Sequence, residues 1–414
     1  MKKLNKLFAI LVAMAMVLSL TAVSAFAAVT GTEDAPAKAA ITKNLKVPEG
    51  ATVPAAKFKF EFSPAATGST SAAPTIPAKY ATFATTDTAT NGVVTKQATD
   101  ILSDVVWTTA GRYVYDVTEA QTAYKAAAAS DEAYTSAEGT TESFKCSKAK
   151  YKMTVDVKAK ENGSGFYVSA IAVEKVLNDE GAETSGKATP TNPTGEETGS
   201  NDFAFTNSYS KVADTTPTDE PGTPENPAAK ASFLIDKTVA GTFKDTTKEF
   251  TFGLIIDQSK TNMAEQALTY KKIAKDGKVT PVTDITSFTL KDGEQLAVYG
   301  APIGTTYKVT ETLPETDAVA QNYKSSVVVN EGGAAATKAT VTNPEAAGTG
   351  ATVENALVKE GANSAAFTNT NTKGEEPGPE GILISNLPYI ALALVAIGGL
   401  VAYVVVRRRN ADEA

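Results

Sequence analysis

Three polar side chains in the first half of the chain occupy positions where β-strand alternation predicts apolar residues. In the segment ITKNL, Lys43 shares a strand face with the Ile and Leu two positions away. In YVYDVTE, Glu119 ends a face of Tyr and Val, and in DFAFTNSY, Asn207 lies on a face of Phe and Tyr. Strands disfavour Asn, and a core disfavours a lone charge. The pattern therefore predicts that Lys43, Glu119 and Asn207 meet in one core.

The second half of the chain repeats the pattern in the same order. Lys237 follows Phe and Ile on one face of FLIDKTV, Glu311 ends a face of TYKVTE, and Asn369 follows Phe on one face of AAFTNTN. All three residue types recur on matching strand faces, which favours a second group of the same kind.

A Lys, a Glu and an Asn in one dry core have a defined chemistry. Burial lowers the pKa of a lysine and raises that of a carboxylic acid. The neutral amine is a nucleophile, and a protonated carboxyl can donate a hydrogen bond to the Asn carboxamide oxygen and polarise its carbon. Attack by the amine expels ammonia, and an isopeptide bond forms once, without turnover or cofactor. The predicted cross-links are Lys43–Asn207 and Lys237–Asn369, with Glu119 and Glu311 as the proton shuttles.

Other interpretations of these residues stay open at the level of sequence. A single Lys in a strand is ordinarily solvated, and Thr-Glu after a strand is common in turns. Lys46 replaces Lys43 if the strand faces are assigned the other way. Asn371 replaces Asn369 without any change of face.

The segments that carry these residues alternate as β-strands do. FKFEF, RYVYDV, EFTFGLII and TYKVTE all show the two-residue period, and Gly-containing turns recur between them. The segments also match in pairs between the two halves. We therefore predict an all-β chain with two tandem Ig-like β-sandwich domains, 36–210 and 231–371. The Ala-rich segment Ala120 to Ser143 interrupts the first domain as a short helix or an ordered loop.

The remaining segments predict export and anchoring. Residues 1–27 have a basic start, an apolar run and a small-residue cleavage site, as a secretory signal peptide has. Residues 383–406 end in an uncharged run long enough for one transmembrane helix, and the Arg-rich tail 407–414 is expected in the cytoplasm. Pro, Thr and acidic residues predict a linker at 211–230 and a membrane-proximal stalk at 372–382.

Composition excludes several classes of protein. The chain has no His, which removes Ser-His and Cys-His catalysis and the usual zinc sites. Its single Cys, Cys146, allows no intrachain disulfide and is expected to be a half-buried structural thiol. The formal net charge of −8 argues against nucleic acid or an anionic membrane surface as a partner.

The triad pattern resembles a known family. A Lys in the first strand, a Glu in a Y-x-V-x-E strand and an Asn in a closing F-x-N strand are similar to the isopeptide-linked pilin and adhesin domains of Gram-positive bacteria. FTLKDGEQLAVYGAPIGTTYKVTE, from Phe288 to Glu311, resembles the streptococcal major pilin backbone and the collagen-adhesin B-type repeats over its whole length. The resemblance implies a cell-surface stalk or adhesin with a host or cell-surface ligand.

The chain departs from that family near the predicted membrane helix. Leu387-Pro388 is followed by Tyr-Ile-Ala, without the Thr-Gly that a sortase recognises in L-P-x-T-G proteins. We expect a membrane-anchored, pilin-like structural or adhesion protein that is not an enzyme in the ordinary sense. The alternatives are a sortase-assembled pilin subunit and an extracellular polysaccharide-acting enzyme. The latter has weak support, since its candidate acids lie one per domain.

Overall fold

The computed structural model describes residues 28–136, 141–161, 163–190, 201–213, 230–313, 323–340 and 348–371. Within these ranges the chain is all-β and forms no helix. It divides into two compact units. The first contains the described residues of 1–47, 52–136 and 143–209, and the second is built mainly from the described residues from Ser210 onward. The predicted all-β class is confirmed for the described residues.

The first unit consists of two sheets. Its strands are β1 (Ala28–Thr30), β2 (Ile41–Lys46), β3 (Ala56–Pro64), β4 (Lys79–Thr82), β5 (Val93–Ala98), β6 (Gly111–Glu119), β7 (Tyr124–Lys125), β8 (Thr141–Lys145), β9 (Lys150–Ala159), β10 (Phe166–Leu177), β11 (Glu183–Ala188) and β12 (Ala204–Val212). One sheet has the order β1-β10-β9-β6-β3-β4, with β11 on β10 and β7 on β3. The other has the order β5-β2-β12-β8.

The two sheets of the first unit pack face to face through aromatic side chains. Phe205 on β12 lies 5.2 Å from Phe60 on β3 and 5.1 Å from Tyr151 on β9, between ring centroids. All three rings are buried. Alternating apolar residues on strands of both sheets thus form one shared core, as in a β-sandwich.

The second unit has the same two-sheet plan. Its strands are β13 (Phe233–Ala240), β14 (Phe250–Asp257), β15 (Thr269–Ile273), β16 (Val279–Pro281), β17 (Phe288–Leu290), β18 (Gln295–Tyr299), β19 (Thr306–Thr312), β20 (Tyr323–Glu331), β21 (Ala334–Ala336), β22 (Ala339–Thr340), β23 (Thr349–Leu357) and β24 (Ser364–Asn371). The sheets have the orders β16-β15-β18-β13-β24-β20-β21 and β17-β14-β19-β23-β22. Phe252 of β14 and Phe367 of β24 join them at 5.1 Å.

In each unit an early strand lies beside the closing strand, and the pair is parallel. β2 pairs with β12, and β13 pairs with β24. Most other neighbours are antiparallel. Because a parallel pair cannot be joined by a tight turn, each of these pairs brings together residues far apart in sequence. This pairing places the predicted Lys and Asn on adjacent strands.

Several predictions concern other parts of the chain. The interrupting segment 120–143 forms turns and the short strands β7 and β8 in its described part, so it takes the loop alternative rather than the helix. The signal peptide, the stalk, the transmembrane helix, the cytoplasmic tail and most of the linker lie outside the described residues. No helix of the described part has the length and apolar character to cross a bilayer.

Adjacent residues of β14 provide a test of the second core. Leu254 is 1% exposed and Ile255 is 64% exposed, so the two side chains point to opposite faces. We expect Leu254→Ala to lower the free energy of unfolding by about 2–5 kcal/mol, because it leaves a cavity. The matched control Ile255→Ala should change it by less than about 0.5 kcal/mol. Urea denaturation measures both, and equal effects would contradict the assigned strand faces.

Candidate functional site

The first predicted triad meets in the core of the first unit. Lys43 Nζ on β2 lies 2.5 Å from Glu119 Oε2 on β6. Asn207 Nδ2 on β12 donates to Glu119 Oε1 at 2.5 Å. The Lys43 and Glu119 side chains have no exposed surface, and Asn207 is fully buried. One carboxyl group from one sheet thus contacts both a Lys and an Asn of the facing sheet.

The second predicted triad has the same arrangement. Lys237 Nζ on β13 lies 2.8 Å from Glu311 Oε1 on β19. Asn369 Nδ2 on β24 donates to the same oxygen, also at 2.8 Å. The side chains of Lys237 and Glu311 have no exposed surface, and Asn369 is fully buried.

Strand register explains why both triads form. In each unit the Lys is the register partner of the Phe two residues before the Asn, so Lys and Asn point to the same face of a parallel pair. The Glu is the register partner of the second Phe in the F-x-F strand of the facing sheet. The register pairs are Lys43–Phe205 and Phe60–Glu119 in the first unit, and Lys237–Phe367 and Phe252–Glu311 in the second.

Burial shifts the pKa values of Lys43, Glu119 and Lys237 towards their neutral forms. Loss of solvent lowers the pKa of Lys43, although the adjacent Glu119 opposes that shift. Loss of solvent likewise raises the pKa of Glu119, against the opposing effect of Lys43. In the second unit burial lowers the pKa of Lys237 to about 8, again opposed by its Glu partner. Each ammonium also lies against an aromatic ring, with Lys237 Nζ 4.2 Å from the centre of Phe250.

The orientation of each carboxamide differs from the expectation. We predicted that the carboxyl group would donate to the carboxamide oxygen and polarise the carbon. In both units the carboxyl contacts the amide nitrogen, Nδ2, instead. An Asn nitrogen is a donor and prefers a carboxyl oxygen as acceptor, which explains this orientation. Glu119 and Glu311 are therefore placed beside the group that would leave as ammonia.

The surroundings of the two triads are not the same. In the first unit the backbone N–H of Ser147 donates to Asn207 Oδ1 at 2.6 Å. In the second, the hydroxyl of Ser325 donates to Glu311 Oε2. Sequence analysis missed both serines, because neither stands out in a strand pattern or a motif. Among the described residues, no group of His, Cys, Asp and Glu side chains is arranged to hold a metal ion.

The alternative residues lie away from the triads. Lys46 is exposed at the end of β2, whereas Lys43 is buried. Asn371 is buried, but its Nδ2 donates to the backbone oxygen of Phe243. The buried face of β2 thus carries Lys43 and not Lys46. In the second unit, the contact with Glu311 distinguishes Asn369 from Asn371.

Cys146, half-buried next to Ser147, provides a test of the environment beside the first triad. Burial raises the pKa of its thiol to about 11, with a smaller contribution from Glu119. Because the thiolate is the reactive form, we expect the native thiol to react with a disulfide reagent at pH 8 roughly 100-fold more slowly than an unperturbed Cys. Reaction in denaturant is the control, and equal native and denatured rates would refute the buried environment.

Comparison with known proteins gives sequence relatives for parts of the chain. Residues 231–371 match the family model described as Domain of unknown function (DUF7601). A protein named "Pilin" from Streptococcus pyogenes serotype M1 is 30% identical over 192 residues, which are 45% of this chain and 51% of that protein. The "Pilus tip adhesin Cpa" of Streptococcus pyogenes is 38% identical over 92 residues, 22% of this chain and 13% of the adhesin.

A solved structure also aligns with the chain. The crystal structure of the major pilin from Streptococcus pyogenes is 22% identical, and the match covers 81% of this chain and 99% of that one at a TM-score of 0.29. The chain spans about half the length of the pilin that it matches. Parts of the chain are therefore similar in sequence to a pilin and a pilus adhesin of Streptococcus pyogenes, as the triad motifs predicted.

Proposed function

We propose that this protein is a pilin-like structural or adhesion protein of the cell surface, and that each of its two units cross-links itself through a Lys–Asn isopeptide bond. One observation carries the proposal: in both units a buried Glu contacts a buried Lys and a buried Asn at hydrogen-bond distance. The pilin and pilus adhesin relatives support the structural role.

The proposed reaction is an exchange of one amide for another. The lone pair of the neutral Lys Nζ forms a bond to Cγ of the Asn, and Cγ becomes tetrahedral. The Glu carboxyl takes a proton from the attacking nitrogen and gives one to Nδ2. The Cγ–Nδ2 bond breaks, its electron pair leaves with the nitrogen, and ammonia departs. The carboxyl ends in its starting state, so one Glu suffices for one bond.

The fold supplies much of what this reaction needs. The amine, the carboxyl and the amide are held together by strands of both sheets, so no encounter step remains. Burial favours the neutral amine that attacks, as the lowered pKa values of Lys43 and Lys237 indicate. The contact of each Glu with Nδ2 supports proton transfer to the departing nitrogen.

The proposed bonds have a mechanical consequence. Each joins an early strand of a unit to its closing strand, β2 to β12 and β13 to β24. A pull on the two ends of such a unit would load the covalent amide before the backbone hydrogen bonds of the parallel pair. We propose that these bonds supply the resistance that disulfides give other secreted proteins. We further propose export by residues 1–27 and retention by a helix at 383–406, with a surface ligand or pilus components as partners.

The mass of the intact chain tests the cross-links. The full 414-residue chain, folded from urea, is expected to weigh two ammonia molecules less than its sequence. Glu119→Ala and Glu311→Ala should each restore one ammonia, because each removes one proton shuttle. The control is the same chain kept in urea, which should retain its full mass. A folded chain at the plain sequence mass would refute the cross-links.

The pKa of Lys237 gives the second bond a defined pH dependence. In the Glu119→Ala chain only the second unit is expected to react. Since the amine attacks in its neutral form and its pKa is about 8, the rate should rise with pH up to about 8 and level off above it. The measurement is the rate of mass loss after dilution from urea into buffers of different pH. A rate that falls as pH rises from 6 to 8 would contradict attack by the neutral amine.

A further inference from the structure

The carboxamide oxygen of the first triad has a backbone donor. The N–H of Ser147 donates to Asn207 Oδ1 at 2.6 Å, and both residues are buried. We propose that this N–H is an oxyanion donor that accelerates formation of the Lys43–Asn207 bond. The inference rests on the cross-linking proposed above and adds a catalytic group to it.

The role follows from where charge develops in the reaction. When the Lys43 amine attacks Cγ of Asn207, the carbonyl π electrons move to Oδ1, which becomes an oxyanion. The Ser147 N–H already points at that oxygen before the attack, so no reorganisation is needed to stabilise the charge. Because the site excludes water, the interaction is stronger than it would be at the surface. Glu119 contacts the nitrogen of the same amide, Nδ2, and is placed to give it a proton.

Asp179 holds the Ser147 segment in place. The Ser147 hydroxyl donates to Asp179 Oδ1 at 2.6 Å. The N–H of Thr206, the neighbour of Asn207 on β12, donates to the same Asp179 Oδ1 at 2.9 Å. Asp179 thus ties the donor segment and the acceptor strand to one carboxylate. It is a positioning residue, since it contacts neither reacting group.

The second unit places its serine differently. The Ser325 hydroxyl contacts the carboxyl of Glu311, and the N–H of Ala351 donates to that hydroxyl. Asn369 Oδ1 is buried and has no hydrogen-bond partner among the described residues. In the first unit the Ser147 N–H therefore donates to the amide oxygen of Asn207. In the second unit the Ser325 hydroxyl donates to Glu311, the proposed proton shuttle. The proposed oxyanion donor belongs to the first unit.

Replacing a single backbone atom tests the donor. The parent is the full chain carrying Glu311→Ala, in which only the first unit is expected to react. Cell-free translation with detergent can introduce the α-hydroxy analogue of Ser at position 147 of this chain. The N–H becomes an ester oxygen, and the side chain stays the same. We expect loss of ammonia, followed by intact mass over time, to slow by about 100-fold or more, as when an oxyanion donor is removed.

The matched control is the same ester at Lys148. The Lys148 N–H lies in the same segment as the Ser147 N–H. It donates to the Asp179 carbonyl and not to Asn207. The parent rate, or a rate within about threefold of it, is expected there, since a single backbone bond contributes little net free energy. The proposal is overturned if the Ser147 ester reacts at the parent rate, or if the Lys148 ester slows the reaction equally. A parent chain that loses no ammonia would instead refute the cross-linking itself.

Side-chain variants keep the proposal testable if the Ser147 ester does not fold. Ser147→Ala retains the N–H but loses the bond to Asp179, and we expect a rate about tenfold lower because the donor is less well placed. Ser147→Thr retains a hydroxyl and should restore most of the rate. Thermal unfolding of both variants in a Lys43→Met chain, which cannot cross-link, separates positioning from stability. A Ser147→Ala chain that reacts at the parent rate would overturn the positioning role.

Discussion

The central constraint on each unit is the burial of a Lys, a Glu and an Asn between two sheets, out of reach of water. A buried charge without a partner costs several kcal/mol, and removing one partner of a buried pair is strongly destabilising. The three side chains meet this constraint together, because one carboxyl group contacts both the Lys nitrogen and the Asn nitrogen. The buried aromatic residues around the triads exclude water, and burial favours the neutral forms of Lys43, Glu119 and Lys237.

That constraint depends on the parallel pairing of an early strand with the closing strand. The Lys and the Asn lie on adjacent strands and share a face because their register is offset by two residues. A shift by one residue would turn one of them to the opposite face and separate the group. The facing sheet is equally constrained, since the Glu must lie opposite the second Phe of its F-x-F neighbour. The same register in both units therefore gives the two triads the same arrangement.

The environments of the two groups nevertheless differ in how their hydrogen bonds are completed. The first unit uses a backbone N–H beside Cys146 on the Asn oxygen, and the second uses a Ser hydroxyl on the Glu oxygen. The two units therefore share the contacts within the triad and differ in the donors around it.

Strand alternation in the sequence determined the all-β class and the face of each candidate polar residue, because a two-residue period tells which face a side chain occupies. It did not determine the orientation of the carboxamides, which depends on donors and acceptors from other strands. Nor could it identify Ser147, Asp179 or Ser325, since these residues lie 14 to 60 positions from their contacts in the network and follow no period. The choice between Asn369 and Asn371 likewise depended on the tertiary structure. Both residues share a strand face, and only the packing of the two sheets decides which one contacts Glu311.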